Sequence, residues 1–399
     1  MKSGKKEITA TFKTITPLWT GDAWGECKEI RPSSLIGSLR FWFEIVCYFS
    51  GICKDEEDKD SNITSGRFEK EVDRKSLKEF IQKNGNDING IIKHPIDNQN
   101  IPIPSVIFGT TNWRSLIEIK KVEPVEDYCF GNKLNLPYAI SIRKDNYDIE
   151  EYKSEQEWKN KINTYNGNSF KENLKNAKKE YSFFFYPNPY FFGRFQVIFK
   201  VEEKILEANF YPLLNYMDKY GFWGGKWNIG YGRLKIEEIQ GIKDDEWRKE
   251  EILFNNKTAK FNNFNFIDIN ASLNLKSKPF EFLKYFLGQD SFYCNNERDF
   301  KNKRSSIPKK LKVLKINNLN ENYITLIKKL LKKKAEMRNC LRSNNQVHDK
   351  KQWDEFRHKL FGTTTGETEG TKIIPWIYEK DGQLKGGFVS IAGIINIGG

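Results

Sequence analysis

Apolar and polar residues alternate loosely in "EITATFKTIT" (Glu7 to Thr16), where Ile8, Ala10, Phe12 and Ile15 keep near a two-residue period until Pro17 ends the run. A half-buried strand is predicted there. The period then lengthens. In "PSSLIGSLRFWFEIVCYFSG" Leu35, Leu39, Trp42, Phe43, Val46 and Phe49 fall on one helical face, with Pro32 and Ser33-Ser34 as start signals and Gly51 as a stop. Residues 54–75 are charged and poor in apolar side chains, and they read as part of a polar insertion near 54–100. "VIFGTTNWRSLIEIKKVEP" (Val106 to Pro124) reads as strand, a second polar insertion fills 144–180, and "FFGRFQVIFKVEE" (Phe191 to Glu203) alternates as a central strand does. In "NFYPLLNYMDKYG", Pro212 suits a first helical turn, Leu213, Leu214, Met217 and Tyr220 form an apolar face, and Gly221 is the stop. A glycine-rich stretch, "GFWGGKWNIGYGRLKI", then leads into the strand "GRLKIEEI".

This order is βαββαβ, that of a ferredoxin-like fold carrying insertions. A hydrophilic stretch at 241–260 separates it from a second region containing strand-like "FNFIDINASLNL", a helix around Phe280 to Leu287, the basic helix "ENYITLIKKLLKKKAEMRNCLR", the helix "KQWDEFRHKLFG" and closing strands near 373–378 and 387–397. The expected class is α+β, with tandem ferredoxin-like domains at 1–243 and 244–399, the second divergent and helix-rich. "VIFGTT" and "KLFGTT" share Phe-Gly-Thr-Thr. So short a match gains weight only if both copies occupy equivalent places.

Length and charge narrow the classes. A chain of 399 residues exceeds one comfortable core. Its 66 Lys and Arg against 53 Asp and Glu leave a net charge of +13, and aromatics make up 14%. That combination suits a polyanion whose bases can stack, although a Lys- and Asn-rich proteome would give a similar balance. Six scattered cysteines form no C-x-x-C pair and read as reduced, mostly buried thiols. The apolar run "LRFWFEIVCYFSGIC" is interrupted by Glu44 and too short to span a bilayer. A cytoplasmic protein without membrane contact is expected.

The glycine-rich stretch is no known nucleotide loop. A Walker loop requires Ser or Thr after its lysine, whereas Trp227 follows Lys226, and a dinucleotide loop would follow a strand and start a helix. It reads instead either as a tight turn packed by core tryptophans or as a loop whose backbone N–H groups approach phosphates, aided by Lys226 and Arg233, with Trp223 and Trp227 stacking on bases. Catalytic signals are weak. The only histidines, His94, His348 and His358, show no acid–base pairing along the chain, and no zinc spacing or nucleophile elbow is evident. No cofactor is expected.

"TPLWTGDAWGECKEIRPSSLIGSLRFWFEI" resembles the opening of the RAMP superfamily, in particular the first subunit of the Cmr (type III-B) CRISPR effector complex. Phe108-Gly109, "GGKWNIGYGRLKI" and "RHKLFGTT" are similar to later islands of that family, although Lys226, Trp227 and Asn228 stand where it often has arginines and serines. The resemblance implies a non-catalytic RNA-binding subunit of an antiviral ribonucleoprotein, with guide RNA, target RNA and other RAMP subunits as partners, acting near the guide 3′ end. Candidate RNA-binding residues are Arg31, Ser33, Ser34, Arg40, Trp42, Trp223, Lys226, Trp227, Arg233 and Arg357. Trp42 also lies on the apolar stripe, and Arg40 can pair with Glu44. The alternatives are a RAMP endoribonuclease with His94 or His358 as base, and a purely structural assembly subunit.

Overall fold

The computed structural model describes residues 4–22, 25–49, 52, 70–85, 87–126, 129–164, 180–185, 189–254, 257–260, 266–269, 312–316, 322–343, 357–358, 361–363, 370–371 and 373–390. The class is mixed α and β with largely antiparallel sheets. In chain order the first half contains β1 (Lys5–Thr14), α1 (Pro32–Phe49), α2 (Arg74–Asn84), α3 (Ile88–Gln99), α4 (Ile103–Phe108), β2 (Ile117–Pro124), β3 (Ala139–Arg143), β4 (Ile149–Tyr152), α5 (Glu155–Thr164), β5 (Glu180–Phe184), β6 (Arg194–Glu202), α6 (Tyr211–Lys219) and β7 (Leu234–Ile239). The second half contains β8 (Phe266–Ile269), β9 (Lys312–Ile316), α7 (Tyr323–Ser343), β10 (Ile373–Lys380) and β11 (Gln383–Ser390).

The principal sheet has the order β2-β6-β1-β7, and every neighbouring pair is antiparallel. Alternation sets its faces. Ile8, Ala10 and Phe12 of β1 and Phe195, Val197, Phe199 and Val201 of β6 are buried on one side, where Phe12 stacks on Phe195 at 5.3 Å. The apolar stripe of α1 packs into the same cluster as α6, with Trp42 and Tyr216 in ring contact at 5.9 Å.

The second sheet repeats part of this plan. Strands β9, β11 and β10 lie in the order β9-β11-β10 with antiparallel pairing, as β1, β6 and β2 do in the first, and α7 follows β9 as α1 follows β1. Both Phe-Gly-Thr copies precede the corresponding strand. Phe108 and Phe361 each close a helical turn, and Gly109 (φ 88°) and Gly362 (φ 75°) adopt positive φ, where glycine carries no Cβ penalty. The fourth position differs. It is held by β8, which precedes the unit in sequence and pairs parallel with β9, whereas a second ferredoxin-like sheet would pair antiparallel throughout.

Other expectations need correction. Val106–Phe108 ends α4 rather than forming strand: Pro102 and Pro104 start a helix whose six residues are all buried, so it shows no periodicity. The insertion near 54–100 contains two helices, each N-capped by an aspartate, Asp73 and Asp87, that accepts from backbone N–H groups. Within 144–180, β4 joins β3 and β5 in a three-stranded sheet, and α5 follows. The final strand begins at Gln383, earlier than expected, because Asp381-Gly382 (φ 54° and 71°) makes a tight hairpin turn. The strand β9 was not anticipated. The helix expected at 280–287 and most of "KQWDEFRHKLFG" lie outside the described residues. Cys27, Cys47 and Cys129 are buried and form no disulfide among the described residues.

Two hydrophobic clusters hold the molecule, and each draws on both sides of residue 243. One joins the principal sheet to Ile374, Trp376 and Val389, and the other packs α7 against Ile15, Ile140, Tyr190, Ile229 and Tyr231.

Candidate functional site

The glycine-rich stretch folds back against the segment after β1. Gly225 N–H donates to Trp19 O at 2.8 Å, Gly232 N–H to Pro17 O at 2.8 Å, Gly224 N–H to Ser38 Oγ at 2.9 Å and Gly230 N–H to Trp227 O at 2.9 Å. Glycine is required by close approach: a Cβ on Gly224 would lie 2.3 Å from Trp19 O, and one on Gly232 2.2 Å from Trp223 O. These four backbone donors are therefore committed internally, and the expected phosphate cradle of glycine N–H groups is not what they form.

Three candidates are core. Trp42 is fully buried and donates its indole N–H to Phe222 O at 3.1 Å, and Trp223 is 1% exposed with its ring edge-on to Phe12 at 5.3 Å, so neither presents a face to a base. Arg233 is also fully buried. Its guanidinium donates to the carbonyls of Met217, Asp218, Lys219 and Gly221 at the end of α6, and to Ile377 O in β10 at 3.0 Å. Met217 O already accepts from Gly221 N–H at 3.0 Å, and the guanidinium supplies donors to the helix-end carbonyls beyond it; burial lowers its pKa to about 10. It cannot reach a phosphate in solvent.

The other N-terminal candidates lie outside the main cleft described below. Arg40 pairs with Glu44 at 3.0 Å and donates to Gly109 O at 3.2 Å, which ties α1 to the first Phe-Gly motif. Arg31 reaches Asp22 at 3.5 Å. Ser33 is exposed, and Ser34 lines a small pocket beside the loop. His94 is buried, within 3.1 Å of Ser76 Oγ and stacked on Phe80 at 4.4 Å.

What remains converges. Lys226, Trp227 and Asn228 of the loop, Lys334 and Arg338 of α7, Lys144 and Tyr181 beside β3 and β5, and Arg357, His358 and Phe361 line one cleft of about 980 Å³. Five of these side chains are basic, against one acid, Glu180, among the lining residues. Lys226 holds a left-handed backbone (φ 61°) with its Nζ 4.6 Å from the Trp19 ring centre, and burial lowers its pKa to about 8. A non-glycine residue in that region is strained, and such strain gathers at functional sites. Lys334 is 4% exposed and donates to Asn228 O at 3.4 Å. Burial and then the neighbouring Arg338 bring its pKa down to about 7. The Tyr181 ring is flanked by Lys144 at 4.6 Å and Arg338 at 5.4 Å. Trp227 is half-buried against Phe41, Trp42 and Phe222.

Lys144, Tyr181, Lys334 and Arg338 were not singled out from the sequence. The basic face of α7 was visible, but Lys144 opens, and Tyr181 directly follows, the stretch 144–180 that reads as polar insertion. Among the described residues no group of three or more His, Cys, Asp or Glu is placed to hold a metal, and no helix is long and apolar enough to cross a membrane.

The RAMP superfamily model matches residues 11–235, more than half of the chain. The protein belongs to the RAMP superfamily. No curated protein matches the sequence. Among solved structures, Cmr1 from Pyrococcus furiosus is similar at 14% identity, covering 96% of this chain and 87% of that one with a TM-score of 0.36. A chain of the type III-B Cmr-beta bound to cognate target RNA is similar at 12% identity, covering 97% and 94% with a TM-score of 0.39. Cmr6 from Pyrococcus furiosus is similar at 16% identity, covering 60% and 100% with a TM-score of 0.27.

Proposed function

We propose that the chain is a cytoplasmic, non-catalytic RNA-binding subunit of a type III CRISPR ribonucleoprotein, engaging guide RNA, target RNA or both near the guide 3′ end beside other RAMP subunits. Membership of the RAMP superfamily and the N-terminal resemblance to the first Cmr subunit support the class. The observation that carries the reading is the cleft of about 980 Å³, in which five basic side chains share the walls with Trp227, Tyr181 and Phe361. Cations hold phosphates and flat rings accept bases, the pairing that single-stranded nucleic acid requires. We further read the chain as two ferredoxin-like halves meeting near residue 243. The second has a parallel strand in its fourth position.

One observation favours the endoribonuclease reading, since His358 lines the same cleft with its Nε2 3.1 Å from Arg357. His94, pinned by Ser76 and Phe80, is not among its lining residues. Labelled single-stranded guide RNA titrated with purified protein, with and without magnesium, tests both. Salt-sensitive binding with the RNA left intact is expected; no binding at low salt contradicts the RNA reading, and cleavage lost in His358→Ala contradicts the non-catalytic one.

A further inference from the structure

Beside the main cleft lies a second pocket, of about 340 Å³, between the start of α1 and the glycine-rich loop. Trp19, Phe41 and Trp227 supply its aromatic walls, and Gly37, Gly224 and Gly225 keep it open. Phe41, Gly224, Gly225 and Trp227 line both cavities, so the two adjoin. Their chemistries differ. The larger carries the cations Lys226, Lys334, Arg338 and Arg357, whereas none of the ten residues lining the smaller is charged. The buried indole N–H of Trp19 has no hydrogen-bond partner among the described residues. A buried donor of this kind calls for an acceptor.

Resting on the RNA reading above, we propose that this pocket receives a single unpaired nucleobase, whose flanking phosphates lie on the cationic wall next door. An aromatic, uncharged hollow beside clustered cations matches the two parts of one nucleotide, and a volume near the lower end for small-ligand sites, about 300–1,000 Å³, suits one base. A paired base has its edge occupied by its partner, so the pocket selects single strands and bases turned out of a duplex.

Gly37 provides the test. It lies inside α1, is exposed, and a Cβ there meets nothing within 4 Å, so a larger residue fills the pocket mouth while improving helix propensity. Oligouridylate and an abasic ribose-phosphate oligomer of equal length are titrated against the full chain and against Gly37→Leu, with melting curves on both. The parent should prefer the base-containing oligomer about five- to a hundredfold, the stacking range for one base. Gly37→Leu should lose that preference, keep its affinity for the abasic oligomer and melt no lower than the parent. Equal binding of the two oligomers by the parent overturns the base pocket while leaving the RNA reading intact. Failure of the parent to bind either oligomer overturns the RNA reading itself. Gly37→Leu behaving as the parent also overturns the proposal.

Discussion

Arg233 Nε donates to the carbonyl oxygen of Ile377 at 3.0 Å, joining the end of the glycine-rich loop to β10 across 144 positions of sequence. The same guanidinium closes the end of α6, so one buried cation fixes the helix, the loop and the second sheet in mutual register. The cleft depends on that register, because the loop supplies one wall and α7 another.

Arg233→Ala should therefore lose about 2–5 kcal/mol of stability, because several buried carbonyls lose their donor. Arg233→Lys should recover little, since an ammonium cannot span the five acceptors of a planar guanidinium. Denaturant unfolding reads both. RNA affinity, measured where the variants remain folded, should fall less than in cleft variants.

The two loop tryptophans should separate stability from binding. Trp223→Ala removes a fully packed side chain and should cost about 3–5 kcal/mol in folding. Trp227→Ala truncates a half-buried ring on the cleft wall and should weaken single-stranded RNA binding by about 1–3 kcal/mol, with a smaller fall in melting temperature. Parallel melting curves and titrations decide between these roles.

Much of this arrangement was legible along the chain, and the failures share a physical cause. The strands β1, β6 and β7 and the helix α1 each bury one face, so their periods of two and 3.6 survive in the sequence. The helix α6 is buried over Tyr211–Met217, and its ends were marked by Pro212 and Gly221. The helix α4 is buried on every side and has no polar face to give it a period. At the candidate site, Lys226 and Trp227 were singled out because a glycine-rich loop advertises itself, and both line the cleft. Arg233 was misassigned because an arginine at a loop edge reads the same whether it faces solvent or five carbonyls. Lys144, Tyr181, Lys334 and Arg338 come together only through packing between segments nearly 200 positions apart. The Phe-Gly-Thr repeat was weak as text and gained force from its equivalent positions before β2 and β10.

Acidity should tune both folding and binding. Lys334 and Lys226 hold pKa values of about 7 and about 8 in the folded chain, below the ordinary 10.5 of lysine, so between these limits the unfolded chain binds more protons. Stability contributed by these two groups should rise with pH from about 7 towards 10.5, and below pH 7 they oppose folding most. Lys334→Met should therefore stabilise the protein most at low pH, with the advantage over the parent shrinking as pH rises. RNA binding should run the other way, since phosphates favour the protonated amines. Affinity should fall from pH 6 to pH 9, and Lys334→Met should flatten the profile.

The central claim is that the cationic wall between the glycine-rich loop and α7 holds RNA phosphates. The most direct measurement is the salt dependence of single-stranded RNA affinity in Lys226→Gly, Arg338→Gln against the parent, because glycine tolerates the left-handed backbone at 226. Loss of two phosphate contacts should weaken binding at low salt and reduce the slope of log affinity against log salt by about 1.4, with the melting curve still cooperative. A folded double variant with the parent's affinity and slope would contradict the account and move the RNA elsewhere on the surface.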